Sequence, residues 1–243
     1  MNNKFYKIRA IIFDIDGTLV DSFPAFYYAF NNGIRQFDIR TVSKEFLAQC
    51  LSRGLSLREI LHRVFPINIG ESVIESCKKE ILGLFLKVEN EEVRLFPGVK
   101  EIFEDIKGIG MKIGIATGRM TSIDYEWERF RRFGIDKFID VIVTCKEVQT
   151  RKPEPDVIIE CAKRLNVAIE ECIVVGDTKL DIIAAKKAGA IPVLIVIGQD
   201  DKNLLEGEKP EFIVRELKEL IIFLKNQWLK GGDLFGEGGG ISQ

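Results

Sequence analysis

Short runs of β-branched and apolar residues alternate with segments of helical period along most of the chain. Runs at 9–14 (RAIIFD), 111–116 (MKIGIA), 139–144, 172–176 (CIVVG) and 191–196 (IPVLIV), with a weaker one at 212–214, read as strands. They are continuously apolar instead of alternating, as strands covered on both faces must be. The pattern predicts an α/β fold, a doubly wound parallel sheet.

Between Ser22 and about Val93 the strand signal stops. Phe23, Phe26, Tyr27, Phe30 and Ile34 fall on one helical face, and further helical segments follow near 43–51, 55–65 and 71–87. About 70 residues are too many for an ordinary connection, so this stretch is expected to form a small helical domain of its own. "LFPGVKEIF" (95–103) marks the return, with Pro97-Gly98 as a turn before a helix. The organisation expected is therefore a core from 1–21 and 94–229, a helical insertion at 22–93, and a flexible Gly-rich tail at 230–243.

Composition narrows the class. The chain has 243 residues, 46% hydrophobic, with 35 basic and 37 acidic side chains, so no net basic field favours nucleic acid. Cys50, Cys77, Cys145, Cys161 and Cys172 are scattered without a C-x-x-C pair, which reads as free thiols. His62 is the single histidine, so a metal here would be a hard, oxygen-liganded ion. "MNNKFYKIRA" shows no apolar signal stretch, and no run reaches the ~18 apolar residues of a membrane span. The expectation is a cytoplasmic protein that works off the membrane; nothing in the sequence sets its oligomeric state.

"AIIFDIDGTLVDS" (10–22) runs an apolar strand into Asp14 and Asp16, and two neighbouring carboxylates at a strand mouth need a cation, a proton or a chemical task. In open parallel sheets, ligands bind beyond the carboxyl ends of the strands. The second strand ends in Ala116-Thr117-Gly118-Arg119, Lys152-Pro153 lies beyond the third, and the fourth runs into "GDTKLD", with Asp177 and Asp181. Acidic oxygens suit Mg²⁺, while an ammonium, a hydroxyl and turn amides suit the oxygens of a phosphoryl group. A carboxylate kept ionised by such a cation can attack phosphorus.

These four segments resemble, in order, the four motifs of the haloacid dehalogenase superfamily of phosphotransferases, over roughly residues 8 to 197. "DIDGTLVDS" is similar to the first motif, Thr117 to the second, Lys152 in "KPEPD" to the third, and "GDTKLDIIAAKKAGA" to the fourth. The resemblance implies that Asp14 is the nucleophile, forming an aspartyl-phosphate, and that Asp16 is acid to the leaving group and then base for water. It implies that Thr117, Gly118 and Lys152 grip the phosphoryl group. Mg²⁺ would be held by Asp14, the Asp16 carbonyl and Asp177, with Asp181 supporting the metal shell. The insertion at 22–93 would be the helical cap that closes over the site.

Within the superfamily, "GTLVDS", "PGV" and the fourth motif look most like phosphoglycolate phosphatase-type enzymes, which implies a small phosphorylated metabolite as partner. Thr117-Gly118-Arg119 departs from the Thr-Asn-Lys of many of that set, which leaves the particular substrate open. The alternative is a sugar-phosphate mutase of the β-phosphoglucomutase kind, although the histidine those enzymes carry early in the cap is absent from Phe23 to Phe30. A receiver-like phospho-switch is the non-enzymatic rival, but there the lysine comes last, whereas here an aspartate pair follows Lys152. Gly54 lets the chain turn between two cap helices, so Arg53, and then Arg58 a helical turn on, are the candidates for choosing the leaving group.

Overall fold

A computed structural model describes residues 7–197 and 208–231. Strand β1 (Ala10–Phe13) leads through a tight turn into the two-residue strand β2 (Val20–Asp21). Four helices follow: α1 (Phe23–Arg35), α2 (Lys44–Ser52), α3 (Leu57–Val64) and α4 (Glu71–Glu92). Strand β3 (Arg94–Leu95) returns the chain antiparallel to β2. Then come α5 (Val99–Gly108), β4 (Lys112–Thr117), α6 (Ile123–Arg132), β5 (Val141–Thr144), α7 (Asp156–Leu165) and β6 (Cys172–Gly176). Helix α8 (Lys179–Ala188), β7 (Ile191–Ile195), β8 (Phe212–Val214) and α9 (Leu217–Gly231) complete the described chain. The Gly-rich stretch from 232 on, expected as a flexible tail, lies outside the described residues.

All six long-sheet strands pair in parallel, in the order β5-β4-β1-β6-β7-β8. The continuous apolar runs have the reason anticipated. Ile11 and Phe13 enter one buried cluster with α5 and α9, whereas Ala10 and Ile12 enter another with α7 and α8. Ile11, Ile12 and Phe13, so removed from water, each contribute about 1.5–3 kcal/mol.

The four helices between β2 and β3 carry a cluster of their own, built on Phe30, Ile34, Leu47, Ile60, Leu61, Ile74 and Ile81. Phe26 joins it to the core, packing on Phe30 (ring centroids 6.2 Å) and edge-on to Phe85 (6.0 Å). The fold is thus an α/β core with an inserted helical cap. Two features were not foreseen. The β2–β3 pair is too short to leave a strand pattern, and α4 runs to Glu92, past the 71–87 expected. All five cysteines are buried free thiols. No helix among the described residues is long and apolar enough to cross a membrane.

Candidate active site

The strand order reverses beside β1: the chain moves from β1 out to β4 and β5, then returns to place β6 on the other side. Such a switch point opens a crevice at the strands' carboxyl ends. Asp14 follows β1 directly and Asp177 follows β6, and Phe13 faces Val175 across the ladder, so the two acids flank the crevice. The Asp14 N–H donates to the Val175 carbonyl (2.9 Å), which extends the ladder one residue and fixes where the carboxylate starts.

Lys152, from the third motif, joins the other three. Its ammonium donates to Asp14 Oδ1 (2.8 Å), Asp181 Oδ1 (2.6 Å) and the Ala116 carbonyl (2.9 Å), with the side chain 7% exposed. The Lys152–Pro153 peptide is cis. Burial raises Asp14; Lys152 pulls it back only partly while Asp181 and Asp16 push it further, and it stands at about 7. Burial likewise holds Asp177 well above its ordinary value, with Asp181 and Asp14 adding repulsion.

Gly17 makes the approach of Asp177 possible. Its φ is +76°, and a Cβ there would lie 2.1 Å from Asp177 Oδ2, so only glycine fits both the turn and the carboxylate. Thr18 Oγ1 donates to the same carboxylate (3.3 Å). Thr117 is buried at the end of β4, and its hydroxyl accepts from the Arg119 N–H (3.2 Å). Gly118 is exposed and faces open space within 4 Å of where a Cβ would stand.

Asp181, which the resemblance places in support of the metal shell, is held by close neighbours. One of its oxygens is taken by Lys152, and the other accepts from the Thr178 hydroxyl (2.5 Å) and the Thr178 N–H (3.1 Å) in a capping box at the start of α8. The Asp16 carboxylate is also spoken for. It takes both Nε (2.6 Å) and an NH2 (2.5 Å) of Arg119 in a fork. Burial alone would raise Asp16, but the Arg119 charge and hydrogen bonds outweigh it and hold the group at about 2.

A hard cation fits what remains. Asp14 and Asp177 are two crowded carboxylates, and burial with the repulsion of neighbouring acids leaves both with raised affinity for a proton. Among the described residues no three acidic, histidine or cysteine side chains form a metal cluster by themselves.

Arg119 is the residue that sequence reading undervalued. Its third nitrogen donates to Glu89, near the end of α4, and its guanidinium lies over the Phe85 ring (5.3 Å). Glu89 is 2% exposed, ion-pairs with Arg129 (2.7 Å) and accepts from the Tyr125 hydroxyl (2.7 Å). Arg129 in turn approaches Glu126 (2.9 Å). The signal for Glu89 was available: Ile74, Cys77, Ile81 and Phe85 form the buried stripe of α4, and Glu89 continues it four residues on.

The two cap candidates part company. Arg53 is exposed at the C-terminal cap of α2, and the next residue, Gly54 (φ +74°), touches the core: a Cβ there would lie 2.8 Å from Leu180, beside Asp181. Arg58 is engaged within the cap, where its guanidinium pairs with Glu71 (2.7 Å). His62 pairs with the same glutamate (3.5 Å).

A sheet of this order, with these acids, lysine and threonine at its carboxyl edge and a helical insertion after β1, defines a class. The family model for haloacid dehalogenase-like hydrolases matches residues 11–196, and the chain belongs to that family. It is a phosphatase, a phosphoric monoester hydrolase. A phosphorylated carbohydrates phosphatase of Thermotoga maritima is 30% identical, over 88% of this chain and 100% of the relative. The phosphoglycolate phosphatase of Escherichia coli K12 is 25% identical, over 90% and 93% respectively. Among solved structures, one described as a predicted phosphoglycolate phosphatase of Haemophilus somnus superposes with a TM-score of 0.79 at 20% identity, covering 91% of this chain and 100% of that one. The β-phosphoglucomutase of Clostridium difficile gives 0.70 at 22% identity, covering 92% and 98%, which shows a shared fold.

Proposed function

We propose that this protein hydrolyses the phosphate monoester of a small metabolite, a sugar phosphate or a phosphoglycolate-like acid, through a phosphoryl-aspartate at Asp14. The observation that carries the reading is the Lys152 ammonium, shared by Asp14, Asp181 and the Ala116 carbonyl at the mouth of β1. It aligns one carboxylate for attack and leaves a positive group where phosphoryl oxygens must sit.

In the first half-reaction an Asp14 oxygen bonds to phosphorus while the bond to the ester oxygen breaks, and the Asp16 carboxyl gives its proton to that oxygen. In the second, Asp16 takes a proton from water, the water oxygen bonds to phosphorus, and the Asp14–phosphorus bond breaks. Thr117, Gly118 and Lys152 hold the three outer oxygens throughout. Asp14, Asp177 and the Asp16 carbonyl would hold Mg²⁺, whose charge offsets the repulsion between carboxylates and phosphoryl group. Gly54 on Leu180 sets the cap against the core, and the closed cap excludes bulk water. Arg53, next to that contact, is the cap residue proposed to meet the leaving group.

The test is phosphate release from a panel of phosphorylated metabolites with Mg²⁺ and again with excess EDTA. Turnover of small monoesters that EDTA abolishes is expected. Full activity in EDTA would refute the metal assignment, and conversion of a hexose 1-phosphate to its 6-phosphate would make the protein a mutase.

A further inference from the structure

Asp16 presents a conflict. To protonate a leaving group it must carry a proton and reach the ester oxygen, yet the structure holds its carboxylate in a two-point fork with Arg119. The fork must open in every turnover. Opening it would strand a guanidinium whose side chain is only 10% exposed, and an unpaired buried charge is costly. Arg119 has a second carboxylate within reach: its NH1 already donates to Glu89.

We propose that Glu89 is the standby counter-ion that lets Arg119 release Asp16, so that Arg119 and Glu89 are positioning residues for the acid step. Glu89 belongs to α4, the last cap helix, and stands four residues before β3, where the chain re-enters the core. Its other partners, Arg129 and Tyr125, both lie on core helix α6. The exchange therefore occurs where the cap is rooted, and the fork on Asp16 shares its guanidinium with the foot of the cap. Phe85, one turn earlier on α4, covers the guanidinium face. This rests on Asp16 being the acid, as proposed above.

The consequence can be separated from a structural role by the leaving group. An alkyl phosphate needs the proton from Asp16, whereas p-nitrophenyl phosphate expels a stable anion and needs it little. With Glu89 neutralised, Arg119 loses the second carboxylate that accepts a hydrogen bond from it and stays on Asp16. Glu89→Gln is expected to lower kcat on the best alkyl substrate at least tenfold, with KM and the nitrophenyl rate moving less than about threefold. Glu89→Asp, which keeps the charge, should retain the ratio of the two rates. The double variant Glu89→Gln with Arg119→Gln removes the fork itself and should regain most of the alkyl rate.

Equal losses on both substrates, a loss confined to KM, or a double variant no faster than Glu89→Gln would each overturn the proposal. Should Glu89→Gln not fold, Arg119→Lys reads the same coupling. Its point charge holds Asp16 less firmly, so the alkyl-to-nitrophenyl ratio should stay or rise, and a tenfold fall would contradict the exchange. Asp16→Asn is the control on the underlying reading. If that variant shows no preference for the better leaving group, the assignment of Asp16 as acid has failed; if it does and the Glu89 variants do not, only the exchange has failed.

Discussion

Lys152 and Arg119 are both buried cations that bridge two carboxylates, yet the aspartates they hold, two residues apart, sit at opposite ends of the carboxylate range. Asp14 stands at about 7 and Asp16 at about 2. The geometry explains the difference. Lys152 is a point charge divided between Asp14 and Asp181, with Asp177 crowding the same pocket, so burial and repulsion outweigh it at Asp14. Arg119 gives Asp16 two parallel hydrogen bonds, and its charge outweighs the cost of burial there. One site lacks positive charge and fits an added cation; the other is complete in the structure and must be opened to work.

The partners also differ in where they come from. Every group around Lys152 lies on the core, fixed by β1, β4 and the start of α8. Arg119 instead joins the core to the cap through Glu89. Damage at the first pair should therefore abolish chemistry on any substrate, whereas damage at the second should depend on the leaving group.

Removing the nucleophile has the largest expected effect. Asp14→Asn should leave below about one per cent of wild-type phosphate release with an unchanged fold by circular dichroism, since an amide is a poor nucleophile of nearly the same shape. Residual turnover well above that level would place the nucleophile elsewhere. Asp181→Asn comes next. It leaves the buried Lys152 short of one carboxylate, and breaking such a pair costs about 3 kcal/mol, to be read as a lower thermal midpoint, while kcat/KM should fall about 10- to 100-fold on every substrate. Loss on alkyl substrates alone would mean that Asp181 serves the acid and not the phosphoryl grip.

The smallest effect is expected at the cap contact. Gly54→Ala places a Cβ against Leu180 at a left-handed φ, so the cap should close less well and kcat/KM for the metabolite should fall roughly threefold to tenfold. Nitrophenyl phosphate, which leaves little for the cap to grip, should be affected less, and identical losses on both would argue that Gly54 serves folding only.

Much of the core was legible because its physics is local. An apolar run such as AIIF followed by Asp14 states both a strand and where the strand opens to solvent, and four such ends in order point to one edge of one sheet. The cap's hydrophobic face from Phe23 to Ile34 was equally plain. What stayed hidden depends on contacts far apart in sequence. Arg119 reaches Asp16 across 103 residues and Glu89 across 30, and no spacing rule encodes either. Lys152 reaches Asp181 across 29 residues, and the motif position of Asp181 does not announce that contact. Arg58 looked free in sequence because Glu71 pairs with it from another helix.

The central claim is that Asp14 carries the phosphoryl group between the two half-reactions. Asp16→Asn removes the base that releases it, so this variant, mixed with Mg²⁺ and an activated aryl phosphate and quenched in acid, should accumulate the intermediate. Peptide mapping by mass spectrometry is predicted to find one phosphoryl group on the segment from 10 to 22, located at Asp14. A phosphoryl group on any other residue, or turnover that persists with none found, would contradict the account.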